Sequence, residues 1–186
     1  MGMPAVANEW TAEMVRALPD DANRYEVVDG ELLVTPAPAY RHQAAARELF
    51  LRFADYLRTH PVAEILFSPA DIEFDSRTLV QPDLFVYPVS EGVKPHDWRD
   101  ITRLFVAIEV LSPSTARYDR HLKRRRYQRH GVSEYWILDT DARLVERWRP
   151  EDERPEILAD EISWQPANAA EPLTISLLEF FARALD

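Results

Sequence analysis

The sequence predicts an α+β domain with mixed strands, and three observations carry that prediction. Two apolar-rich stretches, RYEVVDGELLV and SEYWILDTDARLVERW, each fold back at a turn signal. Residues 41–59 and 117–130 carry patterns of helical rather than alternating period. Residues 104–111, LFVAIEVL, are apolar at every position but one, the mark of a central strand covered on both faces.

The elements follow in chain order. Thr11 is placed to cap a short helix that runs to Leu18 and is ended by Pro19. Asp29-Gly30 sits between two apolar-rich arms and suits a two-residue hairpin turn. Apolar residues at 46, 49, 50, 53 and 57 draw a helical stripe over 41–59. Short strands are expected near 64–67 and 71–74, and a stronger one over 79–87, LVQPDLFVY. A polar loop, 88–103, leads to the central strand. The helix of 117–130 stops at Gly131, and a second hairpin follows around the interruption TDA. The stretch 151–172 is Pro- and Glu-rich with weak strand signals, and 176–185 reads as a final amphipathic helix. Tyr135, Trp136 and Trp148 are expected in the core or at a subunit contact.

No repeat or linker divides the chain, so a single domain over 1–186 is expected, a length that supports a real core. The absence of cysteine excludes disulfides and thiolate metal sites. No stretch approaches the roughly 20 apolar residues of a membrane span. The start, MGMPAVANEW, lacks the basic-then-apolar order of a signal peptide, so the cytoplasm is the expected compartment. The net charge of −10 argues against diffuse binding to nucleic acid. Its distribution is uneven, however: RYDRHLKRRRYQRH at 117–130 holds seven Arg or Lys and one Asp, a local +6. Such a run is either a solvated helix face or a phosphate-binding one.

Glu109 is the one carboxylate in the central run. Side chains alternate along a strand, so Glu109 shares a face with Phe105, Ala107 and Leu111. A buried, unpaired carboxylate costs several kcal/mol, so it needs a partner, a metal or a raised pKa. SPST, immediately after, ends the strand, and a strand end is also where sites are built. Asp83, in QPDLFVYP, repeats the pattern: one acid beside an apolar strand. An Asp next to Pro is also a turn former. Two carboxylates brought together repel, and hard oxygen ligands of this kind suit Mg²⁺ or Mn²⁺. On the 117–130 helix, steps of 100° put Asp119, Lys123 and Tyr127 on the side of Leu122, the side that should face the sheet. Lys123 either pairs locally with Asp119 or points back toward Glu109. Arg117 and Arg124 fall on the opposite side, where a row of arginines could meet a phosphate backbone.

The ordered set YEVVDGEL, HQ at 42–43, QPDLFVYP, AIEVLSPST, D-x3-K-x3-Y and GVSEYWILD resembles the Uma family of restriction-endonuclease-like proteins, in the PD-(D/E)xK nuclease superfamily. The likeness covers roughly residues 24–148. It implies a restriction-endonuclease-like core, a mixed sheet flanked by helices, with a metal-dependent phosphodiesterase site. Residue by residue, it implies that Asp83 is the acid of the PD motif and Glu109 the acid of (D/E)xK. The lysine of that motif would be residue 111, which is Leu111; Lys123 on the following helix matches instead. Glu31 matches a further family acid and completes the expected metal set of Asp83, Glu109 and Glu31. His42, Asp119 and Tyr127 are accessory candidates. Arg117, Arg120, Arg124 and Arg125 are the expected nucleic-acid contacts.

The expectation from the sequence is therefore a Mg²⁺- or Mn²⁺-dependent endonuclease acting on nucleic acid, with DNA as the first choice. Cutting both strands of a duplex needs two sites, so a homodimer is expected with it. A non-catalytic binding or assembly protein on a degenerate nuclease fold is the alternative, and hydrolysis of a small phosphoester is a third, weaker one.

Overall fold

The structure is a computed structural model that describes residues 9–19, 21, 23–89 and 94–186. Thr11 caps α1 (Ala12–Arg16), its hydroxyl accepting from the Met14 N–H. Strands β1 (Arg24–Val28) and β2 (Glu31–Thr35) then form the expected hairpin. Asp29 and Gly30 at its tip both have positive φ, 57° and 83°, the conformation that a twisted two-residue turn requires. Helix α2 (Tyr40–Thr59) follows, and β3 (Ala63–Phe67) and β4 (Ile72–Asp75) come next.

The single strand expected over 79–87 is two strands. β5 (Thr78–Val80) and β6 (Leu84–Pro88) are separated by Gln81, Pro82 and Asp83 and enter different sheets. Pro82 has no N–H to give a ladder, and the chain uses that break to cross between layers. The expected loop 88–103 contains one 3₁₀ turn, Trp98–Asp100, closed at its start by Asp97; its residues 90–93 lie outside the described residues, as do residues 1–8.

β7 (Val106–Val110) lies in the interior of a six-stranded sheet of order β10-β9-β8-β7-β6-β3. Its pairing with β8 (Glu134–Asp139) is parallel, so a crossover must join the two. The helical segment that makes it is π-helical over Tyr118–Lys123 and continues as α3 (Arg124–Arg129). It ends at Gly131, whose φ is 69°. β9 (Leu144–Trp148) completes the second hairpin, and β10 (Glu156–Leu158) adds the edge. β11 (Glu161–Trp164) pairs with β12 (Leu173–Ser176), a strand the sequence pattern did not mark, and α4 (Leu177–Leu185) closes the chain. A second sheet, order β2-β1-β5-β4, is entirely antiparallel.

The large sheet is covered on both faces. Val106, Ile108, Val110 and Trp136 pack with α2 and α4 around Phe53, whose ring lies 5.5 Å from Trp136 and 5.4 Å from Trp164. On the other face Ala107, Phe85, Tyr135 and Ile137 pack with Tyr127 of α3 and with Val28 and Val80 of the small sheet. Phe105 departs from the expected face: it precedes the ladder and packs with the α2 side. Glu109 and Lys123 sit in the second layer, each 1% exposed, between the large sheet, the small sheet and the crossover helix.

Candidate active site

β1, β7, the Pro82 break and the crossover helix each deliver one acid to this layer. Glu26, Glu109, Asp83 and Asp119 are all buried, at 1%, 1%, 6% and 1% exposure. Lys123 occupies the middle. Its Nζ is 2.8 Å from Glu26 Oε2, 3.1 Å from Glu109 Oε1 and 3.6 Å from Asp119 Oδ1. The Tyr127 hydroxyl also donates to Glu109 Oε1, at 3.1 Å, and the Gln81 N–H donates to Glu26 Oε1 at 2.7 Å. The π-helical winding of 118–123 places Asp119 and Lys123 together on the inner face, and such widened turns are frequent at functional sites.

Asp83 faces the other way, into a cleft of about 1080 Å³ lined also by Arg24 and His42. Its Oδ1 accepts from Arg24 at 2.6 Å. Its Oδ2 is 3.0 Å from His42 Nε2 and accepts from the Val110 N–H at 2.8 Å. Arg24 Nε lies 4.0 Å from Glu26, so the Asp83 and Lys123 groups form one continuous network.

The charges do not balance. Four buried carboxyl groups face two permanent cations, Arg24 and Lys123, so the acids outnumber the cations. Burial drives the Glu109 carboxyl well above its ordinary range; Lys123 opposes this, while Asp83, Asp119 and Glu26 add to it. Burial likewise raises Asp119 to about 6. Asp83 moves the opposite way: burial would raise it, but the His42 hydrogen bond and the Arg24 charge outweigh burial and hold it low. Lys123 is raised, because Glu109, Glu26 and Asp119 outweigh its own desolvation. A divalent cation would relieve this shortage of positive charge, and carboxylate oxygens are the donors Mg²⁺ and Mn²⁺ take. Asp119 Oδ1 is buried with no hydrogen-bond partner, an acceptor left over in the cluster. A pocket of about 70 Å³, enough for water or an ion, lies against Glu26, Asp119 and Lys123. The residues therefore fit a divalent cation in charge and donor type. As they stand, no three of the described acidic and histidine side chains converge to grip one, and the ammonium of Lys123 occupies the middle of the cluster.

The family Uma2, described as "Putative restriction endonuclease", matches residues 12–182. The chain belongs to the Uma2 family. Among solved structures, that of a "putative nuclease belonging to DUF820" from Anabaena variabilis ATCC 29413 superposes with a TM-score of 0.79 at 22% identity, covering 94% of this chain and 99% of that one. The match bears out the expected restriction-endonuclease-like mixed sheet flanked by helices. No curated protein matches the chain.

Within this Uma2 chain, the structure brings Asp83, Glu109, Lys123, His42, Asp119 and Tyr127 into one network. It does not bring Glu31. That residue is exposed at the start of β2, beside the turn, where it pairs with Val28. The acid that β1 contributes is Glu26, which the sequence reading passed over. The signal was present: Glu26 is a lone acid beside Val27 and Val28, the same pattern that singled out Glu109. The arginine row is divided. Arg120, its side chain 36% exposed, pairs with Asp139 and Glu146 at 3.1 and 2.6 Å, and Arg124 lies 4.5 Å over the Trp148 ring and bonds Gln128. Arg117 and Arg125 are exposed, as expected. Tyr135, Trp136 and Trp148 are buried in the core.

Proposed function

We propose that this chain is a divalent-metal-dependent nuclease hydrolysing nucleic-acid phosphodiester bonds, with Asp83 and Glu109 catalytic, Lys123 beside them, and Mg²⁺ or Mn²⁺ as the cofactor. The observation that carries the reading is the buried cluster of three acids around the single ammonium of Lys123, beside a cleft with Asp83 in its wall. Glu26, in place of Glu31, joins Asp83 and Glu109 as a carboxylate that would hold the ion. When bound, the ion supplies charge neutralisation at the scissile phosphate and a lowered pKa for a water in contact with it. Lys123, held by three acids behind the cleft, would stabilise negative charge developing on the phosphate. Tyr127 fixes the Glu109 carboxylate, and Arg24 and His42 orient that of Asp83. DNA as substrate and a cytoplasmic setting belong to the same proposal. The described residues include no helix long and apolar enough to cross a membrane.

One observation favours the second reading, a non-catalytic protein on this fold: both Asp83 oxygens are already satisfied by Arg24, His42 and Val110. The two readings separate in one experiment. Nuclease activity is measured with Mg²⁺, with Mn²⁺ and with chelator, for the native chain and for Glu109→Gln and Asp83→Asn. The nuclease reading expects metal-dependent cleavage that both substitutions reduce by about 10² or more. Cleavage that persists undiminished in both variants rejects the assignment, and no cleavage together with no metal-induced rise in Tm favours the binding protein.

A further inference from the structure

The cleft beside Asp83 has the size and wall chemistry of a site for one strand. It is about 1080 Å³, near the upper end of small-ligand pockets and far short of a duplex-binding face. The acid in its wall, Asp83, is 6% exposed, and Glu109 behind it only 1%. A double helix presents its phosphates on a wide, stiff surface backed by a second strand. A single strand is thin and flexible and can lower one phosphate into such a recess.

The walls supply the two contacts that single strands use. Phe67, at the end of edge strand β3, is 57% exposed and meets Phe50 edge-on at 5.4 Å. Both rings line the cleft, and a solvent-facing aromatic there offers a stacking surface for an unpaired base. Arg41 and Arg47 stand exposed on the first turns of α2 and line the same cleft, Arg41 at 3.9 Å from the exposed Asp141. Meanwhile, on the helix expected to track a duplex, Arg120 is paired with Glu146 and Arg124 stacks on Trp148, and the chain as a whole is at −10. Duplex binding draws on many phosphate contacts, and on this helix the arginines left exposed are Arg117, Arg125 and Arg129.

We propose that the substrate is a single polynucleotide strand, bound in this cleft with a base on Phe67 and its backbone along Arg41 and Arg47. The inference rests on the nuclease reading for its chemistry but not for its binding. One strand needs one site, so the homodimer expected for duplex cutting is not required.

The test uses the full chain in chelator, so that nothing is cut, with labelled oligothymidine, oligouridine and a duplex of equal length followed by fluorescence anisotropy. The expected result is that a single strand binds at least about tenfold tighter than the duplex. Phe67→Ala, at an exposed position that leaves the core intact, weakens that binding about fivefold or more. The oligothymidine and oligouridine arms report whether the sugar matters. Duplex binding as tight as single-strand binding, no binding of either, or an unchanged affinity in Phe67→Ala overturns the proposal. Added Mg²⁺ then separates it from the nuclease reading. Cleavage of duplex alone overturns the single-strand inference and keeps the nuclease. Tight single-strand binding without cleavage, with any divalent ion, keeps the inference and removes the nuclease.

Discussion

Asp83 and Glu109 are buried to nearly the same degree, yet their surroundings push their protonation in opposite directions. Asp83 meets a guanidinium, an imidazole and a backbone N–H, and stays ionised. Glu109 shares one ammonium with Glu26 and Asp119 and is driven toward its neutral form. Burial raises both; the number of donors per carboxylate decides the sign. The Asp83 end of the network is thus compensated by the protein itself, and the Glu109 end is left short of positive charge.

Removing Lys123 should break this contrast most severely. Lys123→Met leaves three buried carboxylates without their ammonium and is expected to destabilise by about 3–5 kcal/mol, read from denaturant unfolding at neutral pH. Smaller, and opposite for the two acids, are the conservative amides. Asp83→Asn loses the ionised partner of Arg24 and should cost about 1–3 kcal/mol. Glu109→Gln removes an acid that burial penalises and should gain at least about 1 kcal/mol at alkaline pH, while losing any catalytic activity. If both amides destabilise equally, the asymmetry between the two ends is not real.

A divalent cation should sharpen the contrast by acting on the undercompensated end. Mg²⁺ or Mn²⁺ is expected to raise Tm more at alkaline than at acidic pH and to release protons on binding, which calorimetry in buffers of different ionisation enthalpy reads directly. Glu109→Gln should abolish the proton release. The smallest effect comes from Asp119. Its folded pKa of about 6 lies above the ordinary 3.8, so the folded state holds the proton longer than the unfolded chain. The stability associated with that proton is full below about 3.8 and is lost as pH rises through about 6. Asp119→Asn should flatten the stability profile in that interval, and an unchanged slope would remove Asp119 from the acid cluster around Lys123.

Much of the fold was legible because its signals are local. The Asp29-Gly30 turn, the α2 stripe, the 104–111 run and the Gly131 stop each fix the chain over a few residues. The split of 79–87 was only half visible: Pro82 announced a break, but not that β5 and β6 would enter different sheets. At the site, alternation along β7 and the helical turn of 117–130 put Glu109 and Lys123 on inward faces before any contact was known. Glu31 was chosen over Glu26 by motif position, although alternation and the flanking valines marked Glu26 as the acid within an apolar strand.

The sequence by itself therefore determined that Glu109 and Lys123 turn inward, because backbone periodicity assigns a side chain within a regular element to a face without reference to the rest of the chain. Only the tertiary structure decided which charges meet there: that Arg24 and His42 reach Asp83, that Lys123 serves three acids at once, and that Arg120 and Arg124 are used internally. Coulomb energy depends on distances between groups far apart in the chain, and those distances exist only once the sheets and the crossover helix have packed.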